Sequence, residues 1–154
     1  MIQMKNILVA TDLGGTTDAA LAYGRELAAT FGATLQVVYV AEAIALPPDP
    51  RDIEDAARKQ LDELLSDDDR AMFRAKGVVL TSTSPARSIV EYAKTAAINL
   101  IVIGTPIHHG PMAQLAMGTV TERVVRTAPC PVLIVQPPAH AFVLTATVAA
   151  SATA

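Results

Sequence analysis

Cysteine is nearly missing from this chain: Cys130 is the single one in 154 residues. That excludes a disulfide framework and a cysteine-based zinc site. Tryptophan is absent and aromatic residues make up only 4%. Basic residues are not clustered, and 12 Lys+Arg against 15 Asp+Glu leave a net charge of −3. Such a chain lacks the electrostatic footprint of a nucleic-acid binder, whose affinity comes largely from phosphate contacts. No apolar run approaches the ~20 residues that span a bilayer, and the first residues lack the layout of a secretory signal. A cytoplasmic protein with no membrane or nucleic-acid partner is the expectation. The GxxxxGK[ST] and GxGxxG nucleotide fingerprints and the GxSxG nucleophile elbow are also missing.

What is present is a series of short aliphatic runs: 7–10, 35–40, 78–80, 100–103 and 132–135. They are rich in β-branched residues and mostly continuous rather than alternating, the pattern of strands buried on both faces. Helical patterns lie between them. Ala20, Leu21, Gly24, Leu27, Ala28 and Phe31 recur at helical spacing before Gly32, which sits where a C-terminal cap belongs. Ile53, Ala57, Leu61, Leu64 and Leu65 form a second apolar stripe, with Arg58 and Asp62 one turn apart on a charged face. Ser84-Pro85 reads as an N-cap followed by proline at the first helical position. Thr119 through Glu122 reads as a capping box opening a last helix. The alternation β-α-β-α-β-α-β-α-β predicts an α/β fold with a doubly wound parallel sheet. The acid-rich stretch from Asp49 to Asp69 is expected to be a solvated helix face, and Cys130 a small buried residue.

In open α/β sheets, ligands sit beyond the C-terminal ends of the strands where the winding reverses. Two places qualify. Asp12 is the first charged residue past the first strand, fitted either to capping the turn or to contacting a ribose, a base or a metal ion. After the fourth run come Gly104, Thr105, the loop with His108, His109 and Gly110, and then Gly118-Thr119 at a helix start. Glycines permit close backbone approach, and a helix N-terminus offers free N–H groups and positive potential to an anion. Two adjacent histidines do not readily point at one metal ion, so a metal site is left open.

The chain resembles the universal stress protein family. The resemblance is carried by residues 5–12 (KNILVATD), 100–105 (LIVIGT), and above all 118–126 (GTVTERVVR) running on through 128–135 (APCPVLIV). It covers residues 2–137 in order, and Ser84-Pro85 falls where the family begins its third helix. The resemblance implies a five-stranded parallel sheet of order 3-2-1-4-5, with helices on both faces in the Rossmann-like manner. It also implies a homodimer paired through the fifth strand, a role in stress adaptation and, in many members, ATP binding with or without a divalent ion such as Mg. Residues 1–137 would form that domain, leaving 138–154 as an uncharged apolar tail: a disordered end, an added edge strand or a dimer contact. Carried over by position, the phosphate loop runs from Gly104 to Gly118, with Thr119 as its hydroxyl residue and Val120 following. Ala10, two before Asp12, and Val40 fall where the family lines the adenine pocket; Thr11, Ile103, Thr105, His108 and Gly110 complete the expected set.

The loop departs from the family in two respects. It is one residue longer, so the middle glycine is replaced by Ile107 or His108, and no Lys or Arg occurs between Lys94 and Arg123. Phosphate charge would therefore be met by backbone N–H groups, a metal ion or the two histidines. The leading expectation is a stress-response regulator binding ATP. The alternative is a dimeric interaction protein with a degraded phosphate loop; a slow ATP hydrolase ranks third, because no base or nucleophile is evident beside Asp12. The uncharged fifth strand, Val132, Leu133, Ile134 and Val135, is in itself the kind of sheet edge that invites pairing.

Overall fold

The computed structural model describes residues 1–14, 17–43, 49–105 and 118–136. The elements run β1 (Asn6–Thr11), α1 (Thr17–Phe31), β2 (Thr34–Glu42), α2 (Pro50–Leu64), α3 (Asp67–Phe73), β3 (Lys76–Ser82), α4 (Pro85–Thr95), β4 (Leu100–Gly104), α5 (Thr119–Thr127) and β5 (Val132–Val135). All strand pairings are parallel and the order is β3-β2-β1-β4-β5, as expected.

The continuous aliphatic runs follow from this layering. Alternate residues of one strand point to opposite faces, so Ile7 and Val9 join one core cluster while Leu8 and Ala10 join the other. The first cluster packs Leu35, Val37 and Val102 against Ala20, Leu21 and Ala28 of α1 and Leu61 of α2. The second packs Val38, Ile101 and Ile103 against Ala86, Ile89 and Ala93 of α4 and Val124 of α5. Gly24 lets α1 lie close on the sheet, since a Cβ there would come within 2.5 Å of Val9 Cγ2. Gly32 ends α1 in the left-handed region at φ 62°, and the next N–H, of Ala33, donates to the Ala28 carbonyl at 3.0 Å.

Several local readings change. Part of the acid-rich stretch is a separate helix, α3, and Asp69 within it is buried rather than solvated. Asp69 accepts from Arg25 Nε at 2.8 Å and from its Nη2 at 2.7 Å, and forms a reciprocal capping box with Ser66. The Arg25 guanidinium holds the Asp69 carboxyl below the usual carboxylate range against the opposing effect of burial. Asp62 on the charged face of α2 pairs with Arg70 of α3 at 3.5 Å. Ser84 is the N-cap of α4 by position, yet its side chain makes no cap bond; its N–H donates to Ser82 Oγ instead. The expected box at Thr119 does not form, because Gly118 is the N-cap and Thr119 is already helical. Cys130 is half-buried beside the second cluster, and desolvation raises its thiol pKa.

Candidate functional site

The winding reverses between β1 and β4: the chain leaves β1 toward β2 and β3, then returns to lay β4 on the opposite side. At the C-terminal ends of these strands lies a cavity of about 540 Å³. Its apolar floor includes Ala10 of β1, Val40 of β2 and Ile103 of β4. Ile53 of α2 and Pro85 and Ile89 of α4 extend the apolar wall. Thr11 and Asp12 form the rim after β1, while Gly104 and the first turn of α5, from Gly118 to Thr121, form the far side.

The turn after β1 is stapled by its own side chains. Thr11 Oγ1 accepts from the Leu13 N–H at 2.8 Å, and Asp12 Oδ1 accepts from the Gly14 N–H at 2.7 Å. These short-range bonds belong to the Asx- and ST-turn class, which offers the backbone an alternative to helix. They delay α1 and hold the exposed Asp12 carboxylate at the rim. Leu13 adopts φ 61°, unusual for a bulky residue, so the rim conformation carries local strain.

The opposite wall rests on Thr121, which is buried and donates from Oγ1 to the Gly104 carbonyl at 3.4 Å. This contact ties the end of β4 to the first turn of α5. Gly118, at φ −56° and ψ 149°, supplies no side-chain cap, so none of its own atoms competes for the leading N–H groups of α5. Those groups and the positive end of the helix dipole occupy the cavity wall.

Thr105 stands apart from the expected set. It is buried, its N–H donates to the Val135 carbonyl at 3.0 Å, and it is not among the cavity-lining residues. His108 and Gly110 lie outside the described residues. Among the residues missed in the sequence, Glu42 is the one that changes the electrostatics. It stands at the end of β2, two residues beyond Val40, and Asp12 and Glu42 are the charged side chains on the described wall. Ile53, Ile89 and Thr121 were missed because they reach the cavity from three different helices. Period alone marks Ile53 and Ile89 as core residues, and no local signal distinguishes them as lining. Among the described residues, no group of three or more His, Cys, Asp or Glu is arranged to hold a metal. No described helix is long and apolar enough to cross a membrane.

Residues 4–136 match the model of the universal stress protein family. A universal stress protein of Methanocaldococcus jannaschii is 29% identical, with 87% of this chain and 83% of that one aligned. Universal stress protein A homolog 1 of Coxiella burnetii is 31% identical, covering 85% of this chain and 95% of its own. Among solved structures, UspA of Lactobacillus plantarum superposes with a TM-score of 0.70 at 26% identity, over 88% of this chain and 99% of that one. A universal stress protein solved in complex with cAMP has a TM-score of 0.65 at 20% identity, covering 87% and 98% of the two chains. One from Archaeoglobus fulgidus in complex with dAMP has a TM-score of 0.62 at 21% identity, covering 86% and 98%. The sheet order, the position of the cavity and these similarities agree: the chain belongs to the universal stress protein family.

Proposed function

We propose that this protein is a stress-response regulator that binds an adenine nucleotide, ATP with Mg included, in the cavity at the ends of β1, β2 and β4. One observation carries the reading: a single cavity joins an apolar floor to the uncapped N-terminus of a helix. Its volume lies within the roughly 300–1,000 Å³ common for small-ligand sites. The slot of Ala10, Val40 and Ile103 suits a flat base. Asp12 at the rim is placed to accept from ribose hydroxyls. Gly104, Gly118, Thr119 and Val120 offer backbone N–H groups to phosphate. The structural neighbours solved with cAMP and dAMP support the same ligand class.

The described residues provide binding rather than turnover. The lining carboxylates are Asp12, engaged in its turn, and Glu42, on the β2 side of the cavity. No nucleophile paired with a base lines the wall among the described residues. Magnesium, when it accompanies ATP, would neutralise phosphate charge. A second reading, a dimeric interaction protein, is favoured by the absence of a cationic side chain from the described wall. In either case assembly is proposed through β5, which pairs with β4 on one side and, among the described residues, has no strand on the other. Residues 1–137 would act as the functional domain, and residues 138–154 as an appended tail. Equilibrium dialysis with labelled ATP tests the nucleotide reading. Saturable binding displaced by AMP but not by GMP is expected; no binding of any adenine nucleotide, with or without magnesium, would favour the interaction protein.

A further inference from the structure

We propose that Glu54 and Thr81, neither of which lines the cavity, are positioning residues for its ligand: their hydrogen bond pins the start of α2 to β3 and so holds Ile53 in place as part of the cavity wall. The proposal rests on the nucleotide reading of the same cavity. Three observations carry it. Ile53 reaches the cavity from α2, beside the sheet face where Tyr39 of β2 packs and also lines it. Thr81 Oγ1 donates to Glu54 Oε1, and Glu54 is the residue directly after Ile53. The buried residues of α2 are Ala57 and Leu61, so its first two turns, 50–56, contain none.

The geometry follows from the way α2 lies along β3. Val79 packs on the cluster that holds Leu61, so strand alternation turns Gly77, Val79 and Thr81 together toward α2. At one end Leu61 lies close on Gly77, where an added Cβ would come within 2.9 Å of Leu61 Cβ. At the other end Glu54 meets Thr81. The rise from Glu54 to Leu61 along the helix is roughly 10.5 Å and that from Gly77 to Thr81 along the strand about 13 Å, comparable spans that place helix and strand antiparallel with an anchor at each end. The Leu61 anchor is buried apolar packing. The other is one polar bond between an exposed threonine and a half-buried glutamate. Losing that bond frees the turn that carries Ile53, while Ala57 and Leu61 keep the rest of α2 docked. A wall side chain that is in place only part of the time weakens binding in proportion to the fraction of molecules that are competent. Glu54 and Thr81 thus act on the ligand through Ile53, without touching it.

The test is equilibrium dialysis of labelled ATP with magnesium against the full chain, comparing wild type, Thr81→Val, Thr81→Ser, Ile53→Ala and the double variant of Ile53→Ala with Thr81→Val. Valine has the shape of threonine and suits a strand, so Thr81→Val removes the hydroxyl and leaves β3 in place; urea unfolding checks that each variant is folded. Thr81→Val is expected to weaken ATP binding about fivefold, and Thr81→Ser, which keeps the donor, to stay within about twofold of wild type. The loss should vanish in the Ile53→Ala background, because the bond acts through that side chain. Hydrogen exchange in residues 50–56 of the free protein should quicken in Thr81→Val, while exchange around Leu61 should not. Unchanged affinity in Thr81→Val, or the same loss with and without Ile53, would overturn the positioning role while leaving nucleotide binding intact. Unchanged exchange in residues 50–56 would overturn it whatever the ligand. Failure of the wild type to bind ATP would overturn the nucleotide reading and the positioning role with it.

Discussion

Replacing Asp69 by alanine should destabilise the protein by about 2–3 kcal/mol, more than a lost helix cap alone. The carboxylate accepts from Arg25 Nε and Nη2 and from the Ser66 N–H, and its side chain is only 6% exposed. Hydrogen bonds to charged groups contribute about 1.5–3 kcal/mol each in favourable cases. Arg25 is 35% exposed and keeps its bond to the Leu64 carbonyl, so water recovers part of the loss. Ser66→Ala removes only the cap bond and should cost about 1 kcal/mol. The pH dependence has a definite sign. The folded-state pKa of Asp69 lies below the ordinary aspartate value of about 3.9, so its contribution is complete above that value and disappears as pH falls through the lowered one. Urea unfolding of wild type, Asp69→Ala and Ser66→Ala at neutral and strongly acid pH reads all of this. A gap between wild type and Asp69→Ala no larger than that for Ser66→Ala, or one that does not close in acid, would refute the assignment of the bond between α1 and α3 as an ion pair that stabilises the fold.

Gly24→Ala should lower stability by about 1–2 kcal/mol despite the better helix propensity of alanine, because the new Cβ would lie 2.5 Å from Val9 Cγ2; a thermal melt at or above that of wild type would show that α1 can shift outward freely. The Pro131 and Val135 carbonyls accept from β4, so strand alternation turns the N–H of Val132 toward the open edge. If the proposed homodimer forms through β5, Val132→Pro should convert it into a folded monomer by light scattering; a wild-type monomer would overturn the proposed assembly, and a dimer that persists in the variant would place the interface elsewhere. Magnesium-free ATP binding should strengthen as pH falls from about 8 to about 6, across the imidazole value near ~6.5, since protonated histidine offsets phosphate charge. His108→Ala with His109→Ala should flatten that curve, and parallel slopes in both proteins would leave the histidines without a part in it.

Much of the fold was legible because the information was local and repeated. Each aliphatic run is too short and too β-branched for a buried helix, and the first four are each followed by a helical pattern, so topology rules left few arrangements. Where the reading failed, the deciding partner was distant in sequence. Asp69 looks like one more surface acid beside Asp67 and Asp68; its burial depends on Arg25, 44 residues earlier. Thr119 and Glu122 satisfy the spacing of a capping box, yet the helix starts one residue earlier than that motif requires, and Thr121 turns inward to Gly104 instead. The site divides in the same way. Ala10, Asp12, Gly104 and Gly118 follow from the rule that ligands collect at strand ends. Glu42 was passed over because the aliphatic run ends at Val40, whereas the strand continues to Glu42 and the sheet geometry places that residue on the same cavity as Asp12.

The central claim is that the wall formed by Gly104 and the start of α5 receives phosphate. Its most direct test is labelled-ATP binding, with magnesium, to wild type and to Gly118→Val. The Gly118 backbone lies in a region open to branched residues, so the variant is expected to fold with an unchanged far-UV CD spectrum. Its side chain would stand in front of the N–H groups at the helix start. Saturable binding by wild type and none by the folded variant is the expected result. Equal affinity in the two proteins would contradict it.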